Sequence, residues 1–276
     1  MGLQWSEVQI LSPRPFQNDM NILISNDDGY FSDGIICLKR SLIEAGHAVF
    51  VVAPDRDNSA CSMSITLRKP VTVRQIAERE YAVSGTPVDC VSLALGGLVD
   101  EDIDIVVSGI NNGANLSDDV FYSGTAAAAM EARRLKYPSI AMSIPEVLPK
   151  HYDTAAYVAK KIIGDVENLV FKEQLAFLNV NVPDVSIDCL KGIKAASLGR
   201  RHSPEPHEEK VSIKGARHCL LGAVGGFVEE GYVDGQTDFL CDHELINQCF
   251  ASVTPIRAEW MHQQYLQSCN QWLSNL

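Results

Sequence analysis

The chain has 276 residues, of which 46% are hydrophobic and 21% are charged, and its formal net charge is −12. This composition is ordinary for a folded domain, and the acidic balance argues against a nucleic-acid partner, which would require a basic face. Since no apolar run is long enough to cross a bilayer, we expect no membrane partner. The cysteines are scattered without a Cys-x-x-Cys pair, which favours reduced thiols in a cytoplasmic protein. Several of them, among them Cys37, Cys90 and Cys189, lie in apolar segments and are expected in the core.

The first nineteen residues have no clear period and contain two prolines. They lack the basic start, the long apolar stretch and the cleavage site of a signal peptide. We expect residues 1–19 to be a disordered or non-native extension, with Met20 as the natural start.

From Met20 onward, strand and helix patterns alternate. Strands are predicted at Asn21–Ser25, Ala48–Ala53, Ile103–Ser108, Ser139–Ser143 and Phe177–Val182, with a hairpin at Val71–Arg74 and Tyr81–Val83. Helices are predicted at Gly34–Ala45, Pro87–Leu95, Gly124–Leu135 and Asp153–Val166, the first burying Ile35, Leu38, Leu42 and Ile43. This alternation predicts an α/β fold with a Rossmann-like, doubly wound, mainly parallel sheet.

The pattern changes after about residue 190 to hairpin-like strands with glycine-rich connections, followed by a helix near Trp260–Leu273. We interpret residues 20–276 as a single domain. Its core covers about 20–190, and a hairpin and C-terminal appendage covers about 191–276.

Oxygen-bearing side chains follow three of the predicted strands. Asp27 and Asp28 follow the first, Ser59 follows the second, and Asn111 and Asn115 follow the third. In a doubly wound sheet these loops meet at the carboxyl edge, where ligands bind. Such a set suits a hard divalent cation, which would offset the repulsion between the adjacent acids. The alternative is that one aspartate caps a turn and the other is solvated.

The segment Ser123-Gly124-Thr125 opens a well-formed helix and presents hydroxyls together with backbone N–H groups. That combination is typical of a phosphate cradle, although a plain N-cap would look the same. Asn111, Asn112 and Asn115 add neutral donors upstream, or else form ordinary turns with Gly113 at positive φ.

Several common signatures are missing from the sequence. It contains neither a G-x-x-x-x-G-K-[ST] nor a G-x-G-x-x-G motif, and no G-x-S-x-G elbow. The segment "HELIN" resembles half of a helical zinc motif, but Asn247 occupies the position of the second histidine.

The motifs "ILISNDDG", "VVAPDRDNSACSMSIT", "GTPVDCV", "DIVVSGINNGANLSDDVFYSGTAAAAMEA", "LNVNVP" and "TDF…SVTPI" together resemble the SurE family of survival-protein phosphatases. The resemblance runs from Met20 to about Ile256. It implies a cytoplasmic, metal-dependent phosphatase that acts on nucleoside 5′- and 3′-monophosphates. Some members of the family also act on short polyphosphate. It also implies a homodimer or homotetramer with a projecting hairpin and an exchanged C-terminal segment.

By position, the resemblance implies that Asp27, Asp28, Ser59 and Asn111 bind one Mg²⁺ or Mn²⁺ ion per subunit. Asn115, Ser123, Gly124 and Thr125 match the phosphate-contacting region. Two departures stand out. Ala60 replaces a common glycine and must reproduce its backbone conformation if that amide binds phosphate, and Cys249-Phe250-Ala251 replaces the usual "GYV".

The predicted reaction is the hydrolysis of a phosphate monoester. Asp27 would orient the attacking water or accept its proton, or less readily attack phosphorus itself. Asn111 and Ser123 would stabilise charge on the phosphoryl oxygens. Two alternatives remain: a non-catalytic metal- or nucleotide-binding protein, and a Rossmann-like phosphoryl or glycosyl transferase.

Overall fold

A computed structural model describes residues 19–170, 172, 175–201, 206–211, 217–220, 227–228, 239–258 and 265–274. All of the predicted site residues fall in the first of these stretches. The predicted N-terminal extension lies outside the described residues except for Asp19. Thr237, Asp238 and Trp260 lie outside them as well.

A nine-stranded sheet forms the centre of the molecule, in the order β3-β4-β2-β1-β5-β6-β7-β13-β8. The strands from β4 to β7 pair in parallel in this order, whereas β3 and β13 run antiparallel to β4 and β7. The strands of this sheet are β1 Asn21–Ser25, β2 Ala48–Pro54, β3 Val73–Ala77, β4 Glu80–Val83, β5 Ile105–Asn112, β6 Ser139–Ile144, β7 Phe177–Asn181, β8 Ile193–Ala195 and β13 Ala251–Ile256. Four short strands form two-stranded pairs outside it: β9 Arg200–Arg201, β10 Glu208–Val211, β11 Arg217–Leu220 and β12 Phe227–Val228.

Helices cover both faces of the sheet. They are α1 Asp33–Glu44, α2 Pro87–Leu93, α3 Gly124–Glu131, α4 Tyr152–Ile163, α5 Asp242–Asn247 and α6 Leu266–Leu273. Helices α1 and α4 pack with Ile22 and Ile24 on one face, and α2 and α3 pack with Leu23 on the other. This alternation along β1 is the period of two that a strand covered on both sides requires. The predicted α/β fold with a mainly parallel sheet is therefore confirmed. None of the described helices has the length and apolarity needed to span a membrane.

Local sequence explains where the helices beside the site begin. At the start of α2, the Thr86 hydroxyl accepts from Asp89 N at 3.2 Å, and the Asp89 carboxylate accepts from Thr86 N at 2.8 Å. This reciprocal capping box fixes the first turn of the helix, with Pro87 at a position that needs no N–H partner.

Strand β5 is longer than the sequence predicts. It runs to Asn112, so Asn111 and Asn112 lie in the strand rather than in a loop. Its register against β6 shifts between Ser108 and Asn111, next to Gly109. A Cβ at Gly109 would lie 2.3 Å from the Met142 carbonyl oxygen, so the two strands can approach there only with glycine.

Three other predictions need correction. Ile43, expected in the apolar face of α1, is 52% exposed, because the buried face turns instead through Gly34, Ile35 and Leu38. Cys189, expected in the core, is exposed in a short 3₁₀ turn. The central sheet also continues past residue 190, where the core was expected to end, because β13 and β8 join its edge.

Candidate active site

The loop after β1 holds the paired aspartates in a fixed turn. The Asn26 side-chain amide donates to the Gly29 carbonyl oxygen at 2.9 Å and to the Ser32 hydroxyl at 2.7 Å. Gly29 N donates back to Asn26 Oδ1 at 3.2 Å. Because Asn26 is fully buried, these bonds are shielded from water. The turn thereby presents Asp27 and Asp28 between the end of β1 and the start of α1.

Asp27 and Asp28 lie in an electrostatically unfavourable position. Asp27 is only 3% exposed, and burial raises its pKa above the ordinary value. Burial also raises the pKa of Asp28, to about 6, and the charges of Asp27 and Asp57 add to this effect. None of the ion pairs between described residues includes either acid. The fold therefore concentrates negative charge here, and no cation among the described residues pairs with it.

Neighbouring elements converge on this pair. The Thr125 hydroxyl at the start of α3 donates to Asp27 Oδ1. The backbone N–H of Asn112, at the end of β5, donates to Asp28 Oδ2 at 3.0 Å. The carbonyl oxygen of Asp27 accepts from Asn58 N, in the loop after β2, at 2.7 Å. All three loops predicted to meet at the carboxyl edge of the sheet, and the start of α3, are thus in contact with the acids.

Asn111 lies one residue before the amide that contacts Asp28, and it is 8% exposed. Its side-chain NH₂ donates to the Gly113 carbonyl oxygen at 3.1 Å, which identifies the amide oxygen as the side able to accept a ligand. Gly113 has φ +140°, the positive φ considered from the sequence for an ordinary turn. The sequence predicted the position of Asn111 at this edge, and the strand rather than a loop supplies it.

The loop after β2 is the exposed side of the site. The Ser59 hydroxyl donates to Asp57 Oδ1 at 2.6 Å, and Ser59 N donates to the same oxygen at 2.7 Å. Asp57 was missed by sequence reasoning, although its charge raises the pKa of both Asp27 and Asp28. A further carboxylate two residues before the predicted ligand Ser59 was the available signal.

Ala60 has φ +58°, in the left-handed region that favours glycine. Ala60 therefore adopts a glycine-like backbone conformation, at a cost of roughly 1 kcal/mol relative to glycine. Cys249, the other replacement of a common glycine, likewise has φ +63°.

The N-terminus of α3 is packed directly against the acids. Ser123 caps the helix, with its hydroxyl accepting from Ala126 N at 3.0 Å. A Cβ at Gly124 would lie 2.8 Å from Asp27 Cβ and 2.9 Å from Cys61 Sγ, so only glycine fits between them. Cys61, which sequence reasoning did not include, thus lines the site. The plain N-cap and the phosphate cradle considered from the sequence are compatible here, since the capped helix end borders the acidic pair.

Asn115 occupies a different environment from the other predicted residues. It is 4% exposed, its side chain donates to Ser143 Oγ at 2.7 Å, and its backbone N–H donates to Asn181 Oδ1 at 3.1 Å. Its carbonyl oxygen accepts from the side chains of Asn179 and Asn181 at 2.8 and 3.0 Å. The described contacts of Asn115 therefore tie the loop to β6 and β7.

The donor set fits a hard divalent cation. One buried and one partly buried carboxylate, both with raised pKa values, and an adjacent amide oxygen match the oxygen preference of Mg²⁺ and Mn²⁺. Among the described residues there is no group of three or more His, Cys, Asp or Glu side chains able to hold a metal. Among the described residues, a cation held by Asp27 and Asp28 would therefore need neutral oxygen ligands as well.

Comparison with known proteins finds similar proteins over most of the chain. The family model described as "Survival protein SurE" matches residues 22–205. A "5'-nucleotidase SurE" from Actinobacillus pleuropneumoniae serotype 5b (strain L20) is 43% identical over 248 residues, covering 87% of this chain and 94% of that protein. One of the same name from Xylella fastidiosa (strain M12) is 41% identical over 262 residues, covering 93% and 97%. The crystal structure of the SurE protein from Aquifex aeolicus matches with a TM-score of 0.77 at 33% identity, covering 91% of this chain and 99% of that one.

Proposed function

The chain belongs to the SurE family, and from this premise we propose that it is a metal-dependent phosphatase that hydrolyses nucleoside 5′-monophosphates to nucleoside and phosphate. The observation that carries the proposal is the acidic pair, which forms no ion pair with any described residue. Its buried member, Asp27, packs against the N-terminus of α3 at Gly124. A cation would offset that charge, and the helix end would accept a phosphoryl group.

Asp27, Asp28, Asn111 and Ser59 would hold the ion. When bound, a divalent cation supplies Lewis-acid polarisation of a phosphoryl oxygen and lowers the pKa of water. The Ser59 hydroxyl donates its hydrogen to Asp57, which leaves the lone pairs of its oxygen available to the ion.

Asp27 is the residue that would orient the attacking water and take its proton. Burial raises the pKa of Asp27, which makes the carboxylate a better proton acceptor than an exposed one. The Thr125 hydroxyl, donating to Oδ1, leaves Oδ2 as the oxygen directed toward Gly124. Direct attack by Asp27 on phosphorus is the less favoured variant, because this oxygen is closely packed.

The phosphoryl oxygens would be bound on the opposite side by neutral donors. The helix N-terminus at Ser123, Gly124 and Thr125 offers backbone N–H groups and a partial positive charge. Asn111 and the Ala60 amide, in its left-handed conformation, would add donors from the other two loops. Asn115 would then support the phosphate site through its loop while its side chain remains bonded to Ser143.

The test is phosphate release from a panel of nucleotides, with Mg²⁺ or Mn²⁺ and with a chelator, for the wild type and for Asp27→Ala. Release that requires the metal and disappears in a folded Asp27→Ala variant is the expected result. Nucleotide binding without phosphate release would favour the non-catalytic alternative. A transferase would need an acceptor and would free little phosphate. Normal activity in Asp27→Ala would place the active site elsewhere.

Finer features of this function are proposed on the same basis. The panel should include 3′-monophosphates and short polyphosphate as further substrates. We expect one Mg²⁺ or Mn²⁺ ion per subunit, a homodimer or homotetramer, and a cytoplasmic location. Metal titration and sedimentation analysis test the stoichiometry and the assembly.

A further inference from the structure

The segment between Asn115 and Ser123, here called the substrate turn, leads from the end of the sheet to the cap of α3. Its first residue is tied to the core by bonds to Ser143, Asn179 and Asn181. Two residues later a second anchor comes from a different part of the chain. Ser117 N donates to Asp242 Oδ2 at 2.7 Å, and the Ser117 hydroxyl lies 3.3 Å from Asp242 Oδ1.

Asp242 is fully buried and lies at the start of α5, 125 positions from Ser117. Its Oδ1 also accepts from Gly199 N at 3.2 Å and from His243 N at 2.9 Å. Burial raises the pKa of Asp242, while these backbone donors act in the opposite direction. A buried carboxylate that receives so many donors is a strong, directional anchor, because each donor would lose its partner if the carboxylate were removed.

The residues around Asp242 and Ser117 are closely packed. Ser117 has φ +54°, a conformation that a serine rarely adopts without support from its surroundings. A Cβ at Gly199 would lie 2.4 Å from Ser117 Oγ and 2.9 Å from His243 Nδ1. The strand that follows Gly199 makes further contacts with the turn: Arg201 N donates to Asp118 Oδ2 at 3.0 Å, and Arg201 Nε lies 3.3 Å from Asp119 Oδ1.

A short helix joins Ser117 to the phosphate cradle, Ser123-Gly124-Thr125. A 3₁₀ helix covers Ser117–Phe121 and ends two residues before the cap, Ser123. Ser62, in the loop that carries Ser59, donates from its hydroxyl to the Phe121 carbonyl oxygen at 2.7 Å and from its N–H to the Tyr122 carbonyl oxygen at 3.1 Å. A displacement of Ser117 would therefore shift Ser123 and Gly124, which are proposed to contact the phosphoryl group.

We propose that Asp242 is a positioning residue for phosphate binding, which holds the substrate turn against the N-terminus of α3 from outside the α/β core. The inference rests on the proposed function and assigns a role in it to a residue that touches neither the metal ligands nor the phosphate cradle. Its contacts bypass Asp27, Asp28 and Asn111. The ground-state affinity for phosphate should therefore depend on Asp242, and the affinity for the metal should not.

Glu244 provides a matched control on the same helix. Its carboxylate accepts from Cys241 N at 2.8 Å and closes the capping box at the start of α5, so it supports the helix without reaching the substrate turn. If Asp242 only stabilises α5, then Asp242→Asn and Glu244→Gln should have the same consequences. If Asp242 positions the turn, the two variants should separate in substrate affinity.

The test compares wild type, Asp242→Asn and Glu244→Gln, each in the full chain. Asparagine keeps the size of the side chain but turns an NH₂ group toward Ser117 N or the other donors, so at least one bond is lost. We expect Asp242→Asn to raise KM for AMP roughly tenfold, with a proportional rise in the inhibition constant for inorganic phosphate. The Mn²⁺ affinity, from calorimetry, should remain unchanged. Glu244→Gln should lower the melting temperature and leave KM and the inhibition constant at wild-type values.

A second variant protects the experiment against misfolding of the first. Gly199→Ala inserts a methyl group between the anchor and Ser117, and we expect the same rise in both constants. Wild-type KM and phosphate inhibition in a folded Asp242→Asn or Gly199→Ala protein would overturn the inference, as would a fall in kcat alone.

Failure of the proposed function would give a different result. If the wild type releases no phosphate, the thermal shift produced by inorganic phosphate with Mn²⁺ takes the place of KM, since a bound ligand stabilises the folded state. A smaller shift in Asp242→Asn than in Glu244→Gln then supports the inference, and equal shifts overturn it. A wild type that neither hydrolyses nucleotides nor responds to phosphate would overturn both.

Discussion

The inner and outer halves of the candidate site are held by the fold in different ways. The inner half consists of Asp27, Asp28 and Asn111, at the ends of β1 and β5. Asp27 and Asn111 are 3% and 8% exposed, and backbone donors from neighbouring strands contact the turn. The outer half, Ser59 and Ala60, is exposed and bonds mainly within its own loop.

The two halves of the site meet different physical requirements of metal binding. Buried carboxylates bind a cation strongly because they are poorly solvated, but they also destabilise the empty protein by mutual repulsion. They must therefore sit on rigid elements that cannot relax away from each other. An exposed hydroxyl costs little in the empty protein and can adjust to its ligand. Substitutions in the inner half should change both activity and stability, whereas those in the outer half should change activity alone.

The largest effect is expected for Asp27→Asn. The variant keeps an acceptor for the Thr125 hydroxyl but removes the charge and the proton acceptor. We expect kcat to fall by about 10²–10⁴-fold, the range typical of a general base. Steady-state phosphate release measures this loss, and circular dichroism checks the fold.

Asp153→Asn is the control for Asp27→Asn. The Asp153 side chain is 86% exposed and pairs with Arg40 on the surface. The control should behave as wild type. An equal loss of activity in both variants would show that activity falls when any carboxylate is removed, whether it is buried or exposed.

The next effect concerns the close packing of α3 against the inner half. In Gly124→Ala the new methyl group would lie 2.8 Å from Asp27 Cβ and 2.9 Å from Cys61 Sγ, so one of them must move. A displacement of this kind can cost about 10²-fold in rate, even though no reacting group is removed.

Gly96→Ala adds the same methyl group where no atom lies within 4 Å, and its activity should be unchanged. Kinetics of both variants at saturating metal make the comparison. Wild-type rates in Gly124→Ala would mean that Asp27 does not depend on this contact.

The inner half could be predicted from sequence because its signal is local. Asp27 and Asp28 directly follow a continuous apolar strand, and in an α/β sheet that position is at the ligand-binding edge. Asn111 was placed at the same edge for the same reason. The length of β5 was not predicted, because its last residues are polar and its irregularity at Gly109 depends on the approach of Met142.

The contacts that support the site could not be predicted in this way. Asp57 raises the pKa of both acids through space, and nothing in a loop sequence shows in which direction a carboxylate points. The bond between Ser117 and Asp242 joins positions 125 residues apart, so neither periodicity nor spacing can indicate it. Asn115 was predicted from its neighbours as a phosphate contact, whereas its described bonds run to β6 and β7. Such long-range polar contacts depend on the assembled tertiary structure.

A smaller effect is expected in the outer half, from Ser59→Ala. The loss of one neutral hydroxyl ligand should reduce kcat/KM by about tenfold or less. The free energy of unfolding of the metal-free protein should stay within about 0.5 kcal/mol of wild type, because the site is exposed.

Ser84→Ala, in another exposed loop where the hydroxyl accepts from Thr72 N at 2.8 Å, is the control for Ser59→Ala and should keep full activity. Kinetics and urea unfolding with a chelator test the pair. A marked loss of stability in Ser59→Ala would show that the outer half is as tightly integrated as the inner one.

The smallest expected effect concerns the stability of the metal-free protein and its dependence on Asp28. Burial raises the pKa of Asp28 from 3.8 to about 6 in the folded protein. The folded state therefore binds more protons than the unfolded state between these values, and the stability contributed by protonation is lost as pH rises through about 6. At pH 7.5 the charged Asp28 thus opposes folding of the metal-free protein. Asp28→Asn should raise its stability there by about 1 kcal/mol, after allowance for partial exposure to solvent.

The pH dependence of the difference between Asp28→Asn and wild type distinguishes this cause from others. Urea unfolding with a chelator should show the variant more stable at pH 7.5, and the difference should disappear as the pH falls below 3.8, where Asp28 becomes protonated in both states. Added Mn²⁺ should reverse the order at pH 7.5, because only the wild type gains binding energy from the ion. A stability difference that is independent of pH would point instead to the hydrogen bond from Asn112 N, and would mean that the inner half is not held against electrostatic repulsion.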